Sequence, residues 1–533
     1  MHEGGGIQDL VRLTPSRRAA EADAEPPRRR VDVEGLGHGH VAVRLYGPRS
    51  KGTVSYPAMR TPSFGLVSGL LLPALLAGQA SAPGPAVRPY VAVSSPVVAL
   101  THVRVIDGTG APAQDDQTIV IRNGTIAAVG PAASVAVPAG ADVKDLTGRT
   151  VLPGFVMVHE HMFYPAGNGM YTEQGWSFPK LYLAGGVTTM RTAGSIEPYA
   201  DLNIAHSIAA GEMAGPTMDV TGPYLEGPGL PLSQVHALKD ADEARRMVDY
   251  WADQGATSFK AYMHITRAEL GAAIAEAHRR GAKLTAHLCS VTFREAADLG
   301  IDDLEHGFLV ATDFVRTKQP DVCPDRDSVV ASLVAVDPTG AAARDLIAYL
   351  VSKHVAMTST LTVFETFVPG RPAAPGAVLD AMLPEARDQY SRTRLRIATS
   401  KDSTWVVLFR KEMQLERMYA QAGGLVLTGT DPTGYGGVVA GFSNQRALEL
   451  LVEAGFTPLE AIRIGTLNGA TYMGRTDHIG AIAAGKDADL VVVNGNPVAQ
   501  IADVEKVELV FRAGTGYDPA KLIAAARGSV GLR

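Results

Sequence analysis

Cysteine is nearly missing from this chain: Cys289 and Cys323 are the only two among 533 residues. That excludes a disulfide scaffold and a zinc site built from cysteines. One disulfide between them is compatible with the sequence, and their spacing alone does not decide it. A surplus of one charge is missing as well. The formal net charge is −6, so no basic field points to nucleic acid or anionic lipid. The apolar stretch from Phe64 to Ala77 is too short for a comfortable membrane span. No Gly-rich fingerprint follows the first candidate strand, which argues against an open dinucleotide-binding sheet. No internal repeat is apparent. What remains, 46% hydrophobic and 20% charged residues, is the composition of a globular protein.

The apolar stretch has a use. Met59 to Ala82 carries a basic start at Arg60, the Phe64–Ala77 run and then Ala80-Ser81-Ala82. That is the layout of a secretory signal peptide with an A-x-A cleavage site. No cysteine follows it, which argues against a lipid anchor. Such signals begin at an initiator methionine, so residues 1–58 are expected to be a miscalled or disordered extension, rich in Arg, Gly and Pro. The alternative is a natural disordered prefix with an uncleaved anchor. Removing residues 1–82 leaves (49 − 10) − (55 − 7) = −9. The expected product is an exported acidic protein, periplasmic or extracellular, without a stable membrane span; a homo-oligomer is compatible with it.

Past a Pro/Ala/Ser linker at 83–97, "TIVIRNGTIAAVG" (118–130) reads as a hairpin. Its two alternating runs flank Asn123-Gly124, the favoured type I′ turn. Similar strands recur at 479–497 and 507–514. Segments 98–152 and 476–515 are therefore expected to form one small composite β-sandwich, followed by a tail at 516–533. Between them, over 153–475, strands alternate with helices. The strand candidates are 151–158, 187–192, 217–221, 258–262, 283–287, 301–305, 355–359 and 425–430. "TRAE" (266–269), "TFRE" (292–295) and "TPLE" (457–460) are helix-start signals, and Gly281 and Gly300 are stops. This alternation predicts an α/β protein with a (β/α)8 TIM barrel. A helical insertion falls within 366–422.

Polar residues collect at one end of these strands, the end that holds the active site in such barrels. "VHEHMFYP" places His159 and His161 two apart, so they project together while Glu160 faces away. The fourth strand carries Lys260, the fifth ends in His287, the sixth in His306 and the eighth in Asp431. A single histidine at a strand end is usually a satisfied polar residue. Six such residues in this order are hard to obtain by chance. Tyr262 and His264 follow Lys260 with the same parity, and Tyr224 ends the third strand; these are candidate substrate contacts, with packing roles as the alternative. His102, His278 and His354 read as ordinary histidines. "GYGG" (434–437) lacks the lysine of a phosphate loop.

This pattern resembles the amidohydrolase superfamily, in its binuclear metal-dependent members and nearest the imidazolonepropionase and prolidase-like branch. The likeness covers residues 98–515 and includes the "VLPGFV" entry and the "GKDADLVVVNGNP" close. Val158 departs from it, because many members have aspartate there. The resemblance implies two divalent ions, with zinc expected because neutral imidazole suits it. It implies that His159, His161 and Asp431 hold the first ion, that His287 and His306 hold the second, and that Lys260 bridges them as a CO2-derived carbamate. It further implies hydrolysis of amide or peptide C–N bonds in a small-molecule substrate by a hydroxide between the ions, with Asp431 as catalytic proton carrier. A lactonase, esterase or deaminase on the same scaffold is the alternative, although deaminases of the superfamily usually lack the lysine. A scaffold without enzymatic activity would be expected to have lost ligands.

Overall fold

The computed structural model describes residues 82–230 and 232–531, with three short strands upstream. Those three, Val31–Leu36, His40–Leu45 and Thr53–Pro57, pair with one another in antiparallel order within a unit of their own, Arg12–Gly78. Residues 59–81 of the expected signal peptide lie outside the described residues.

Eight short parallel strands carry the larger unit. They are β1 (Phe155–Glu160), β2 (Val187–Thr192), β3 (Thr217–Asp219), β4 (Ser258–Ala261), β5 (Lys283–Ala286), β6 (Asp303–Glu305), β7 (Ala356–Ser359) and β8 (Val426–Thr428). Backbone hydrogen bonds join β1 to β3 as one set and β4 to β8 as another. Between the sets, Gly222 N–H donates to Ser258 O at 3.0 Å and Leu225 N–H to Lys260 O at 2.9 Å. At the other junction Thr430 N–H donates to His159 O at 3.0 Å.

Helices separate these strands where the capping signals predict. Thr266 and Thr292 each close a capping box at the starts of helices Arg267–Arg279 and Phe293–Leu299. Their hydroxyls satisfy amide groups that the helix itself leaves unpaired. Gly281 (φ 71°) and Gly300 (φ 91°) end them in the left-handed region. The apolar faces of strands and helices meet in one core around Phe155, Met157, Phe259, Leu284 and Leu304. The insertion between β7 and β8 contains helices Gly376–Ala381, Pro384–Ala398 and Thr404–Gln421. Among the described residues no helix is long and apolar enough to cross a membrane.

Both flanks of the parallel strands build a separate sheet. Its order runs Val91–Val93, Thr515–Tyr517, Val507–Arg512, Leu490–Asn494, Arg149–Pro153, Val97–Val105, Gln114–Arg122, Thr125–Pro131. Asn123 (φ 48°) and Gly124 (φ 86°) form the expected hairpin turn. Three expectations change. Segment 151–158 is not one strand: residues 149–153 pair with 490–494, and residues 155–160 pair with β2. The break is at Gly154, where any Cβ would collide with the Thr188 side chain. The expected linker at 83–97 is ordered and supplies an edge strand. The expected tail at 516–533 is ordered through residue 531 and forms helix Pro519–Ala526, with Leu522 and Ala526 buried.

Candidate metal centre

The ends of β1, β6 and β8 converge. His159, His161, His306 and Asp431 are all buried. Asp431 Oδ1 lies 3.3 Å from His161 Nε2 and 3.8 Å from His159 Nε2. Its Oδ2 lies 3.7 Å from His306 Nδ1. The His287 ring stands 4.5 Å from that of His306, centroid to centroid, and the His306 ring 4.6 Å from that of His159. Lys260 is buried on β4, and its ammonium pairs with Glu305.

The electrostatics favour neutral imidazoles. Burial pushes His159 and His306 well below the ordinary histidine value, with the Lys260 charge adding to it, and burial also lowers His161. His287 falls to about 3, from burial first and the Lys260 charge second. A neutral imidazole offers a lone pair, the form that binds metal. Asp431 is lowered as well, which for a carboxyl favours the ionised form. Burial alone would raise it, but the hydrogen bond from His161 and the charges around it outweigh burial and hold it ionised.

Two groups of donor atoms gather within 4.8 Å: His159, His161 and Asp431, and His159, Glu305 and His306. Both ring nitrogens of His159 are buried without a hydrogen-bond partner. Its nearest carboxylates, 3.5 and 3.8 Å away, are too far for hydrogen bonds. Buried polar atoms left unpaired are costly, and divalent ions with nitrogen and oxygen ligands would satisfy these. His161 Nδ1, the nitrogen turned away from Asp431, meets Gly194 O at 3.2 Å, and His306 Nδ1 meets Thr360 Oγ1 at 2.9 Å. Such bonds fix the ring orientation of metal-binding histidines.

Of the proposed substrate contacts, Tyr224 and Tyr262 stand together with ring centroids 5.0 Å apart, and Tyr262 is 4.9 Å from His287. His264 is partly exposed, with Nδ1 3.4 Å from the buried Glu226. Cys289, two residues beyond His287, forms a disulfide with Cys323.

Glu305 and Arg191 are the members that the sequence pattern does not reveal. Arg191, buried on β2, donates to Glu305 at 3.2 Å, to Thr285 Oγ1 at 2.8 Å and to Val158 O at 2.9 Å. Strand alternation assigns Glu305 and His306 to opposite faces. His306 has φ 70°, and that left-handed turn brings both side chains to the same centre. The only sequence signal for Glu305 is its place beside a ligand candidate.

The sequence profile of the amidohydrolase family matches residues 150–515. A dihydroorotase from Mycobacterium tuberculosis is 35% identical over 83 residues, 16% of this chain and 18% of that protein. The chain thus spans less than a fifth of that curated relative's length. Among solved structures, a Xaa-Pro dipeptidase with methionine in its active site is 20% identical, covering 79% of this chain and 100% of its own, at a TM-score of 0.58. A bottromycin amidohydrolase is 21% identical, covering 85% and 98%, at a TM-score of 0.63. At these identities the likeness is one of fold.

Proposed function

The chain belongs to the amidohydrolase family, and from that membership we propose that it is an exported, two-metal hydrolase of amide or peptide C–N bonds. The parallel strands would close as a (β/α)8 barrel beside a composite β-sandwich. The observation that carries the reading is His159: a fully buried imidazole with both nitrogens unpartnered, between Asp431 and Glu305.

His159, His161 and Asp431 would hold one ion, and His287 and His306 the other, with zinc as the expected metal. When bound, the ions supply Lewis acidity, making water acidic and a substrate carbonyl electrophilic. Asp431, kept ionised by its neighbours, takes the proton that the attacking water releases. It then delivers that proton to the leaving nitrogen. Tyr224 and Tyr262 give the substrate an aromatic wall with His264 at its edge.

Lys260 is the proposed carbamate bridge between the ions. Carboxylation would exchange its attraction to Glu305 for a repulsion between anions. Arg191 stays beside Glu305 and offsets that charge, so the modified lysine is compatible with this centre once cations are present.

Two observations support export. The segment ahead of Pro83 has the layout of a signal peptide, and the Cys289–Cys323 disulfide suits an oxidising compartment.

Metal analysis tests the reading. Protein grown with ample zinc and bicarbonate should carry about two ions per chain, and it should hydrolyse members of a panel of dipeptides and N-acyl amino acids. Fewer than about one ion per chain, with chelator-insensitive activity, refutes it. The N-terminus of recovered protein should lie near Pro83; cytoplasmic protein starting at Met1 contradicts export.

A further inference from the structure

Helix Thr404–Gln421, in the insertion before β8, buries two carboxyl groups one turn apart, Glu412 and Glu416. Like charges at this spacing repel, and burying carboxylates is costly. Their neighbour is the turn that carries His306. Glu412 Oε1 accepts the backbone N–H of Phe308 at 2.8 Å. Gly307 (φ 58°) makes room for it, since a Cβ there would collide with Glu412 Oε1 and come within 3.0 Å of Glu416 Oε1. His306 is itself left-handed at φ 70°. Two consecutive residues in that region need something to hold them, because non-glycine residues avoid it.

The pair can do this without an isolated buried charge. Burial raises Glu416 to about 7 and Glu412 well above the ordinary carboxylate range, where the Glu416 charge adds to the shift. A protonated Glu412 can donate to Glu416 while its second oxygen accepts from Phe308.

We propose that Glu412 is a positioning residue for His306: from the insertion helix it fixes the His306–Phe308 turn and thereby aims this imidazole at the metal centre. The insertion would then shape the second metal site. The inference rests on the two-metal reading.

Two variants separate reach from charge. Glu412→Gln keeps the length and the acceptor oxygen, whereas Glu412→Asp keeps the acid but retracts it by one methylene. Zinc titration with metal analysis should give wild-type binding for Glu412→Gln. For Glu412→Asp, one of the two ions should bind about tenfold or more weakly, with the cobalt-substituted spectrum of that site altered. Wild-type binding by Glu412→Asp, or equal weakening in both variants, overturns the proposal. Wild-type stoichiometry in the same titration reports separately on the two-metal reading. Should Glu412→Asp not fold, hydrogen exchange on the wild-type chain decides. The Phe308 amide, which donates to Glu412, should exchange as slowly as the core with or without zinc, and fast exchange at Phe308 overturns the proposal.

Discussion

Glu160, the last residue of β1, between His159 and His161, reaches across to Thr430 just past β8. Its Oε1 accepts the Thr430 backbone N–H at 3.1 Å, and its other oxygen accepts a hydrogen bond from the Thr430 hydroxyl. Asn444 donates to the same carboxyl at 2.7 Å. The next residue along, Asp431, is left-handed at φ 53°. One buried side chain thus joins the first strand, the last strand and the helix that follows.

Replacing Glu160 with Ala leaves the buried Thr430 hydroxyl and the Asn444 amide without this acceptor, while the Thr430 N–H keeps His159 O. The expected loss is about 2–4 kcal/mol of stability, read from denaturant midpoints, with weaker zinc binding through a displaced Asp431. Unchanged stability and zinc binding would show that the clasp is dispensable.

The stability of the chain should fall as pH rises through the neutral range, because of a second acid cluster. Glu173 and Asp201 are both largely buried, and their carboxylate oxygens lack hydrogen-bond partners. Burial, then neighbouring carboxylates including Glu197, raise Glu173 to about 9, and burial raises Asp201 to about 7. Both folded values exceed the unfolded ones, so the folded chain keeps protons that the unfolded chain has lost. Their contribution is complete below the unfolded values and is lost as pH climbs through about 7 and 9. Denaturation curves at several pH values should show Glu173→Gln declining less steeply than wild type; parallel declines would rule the cluster out.

The parts of this molecule that are legible in sequence are those that local chemistry determines. Thr266 and Thr292 announce helix starts, Asn123-Gly124 announces a hairpin, and the six strand-end residues stand at the ends of apolar runs that the fold gathers. What escapes is set by tertiary approach or by a single backbone angle. The apolar run 151–158 conceals the Gly154 break because no alternation marks it. Glu305 is hidden by the left-handed His306, and Arg191 by a β-strand context in which a buried arginine is rare. Order in 83–97 and 516–531 comes from distant partners, among them Val91–Val93 against Thr515–Tyr517, Gly84 N–H on Gly211 O and Leu383 N–H on Val530 O, over separations that no local pattern encodes.

The disulfide gives a redox-dependent stability. Cys289 and Cys323 are 34 residues apart in sequence, and closing a loop of that size stabilises a chain by about 4 kcal/mol in the chain-entropy description. Reductant, or Cys323→Ala, should lower the denaturation midpoint accordingly. The bond anchors the segment just beyond His287, so zinc affinity should fall as well. Protein that melts identically with and without reductant would contradict a formed bond.

Gly429 tests how closely β8 lies against β1. A Cβ there would sit 2.5 Å from both His159 Cβ and His159 O. The backbone oxygen cannot yield as a flexible side chain would, so Gly429→Ala must move β8 or β1. Overpacking of this kind costs about 1–3 kcal/mol, and the displacement falls on a proposed ligand, so zinc binding should weaken in parallel. Gly376→Ala is the matched control: it lies in helix Gly376–Ala381 with nothing within 4 Å of its would-be Cβ. That change should be neutral or stabilise by up to about 1 kcal/mol. If Gly429→Ala behaves like the control in melting and zinc titration, the two strand ends do not approach as described, and the junction between the last and first strands is wrong.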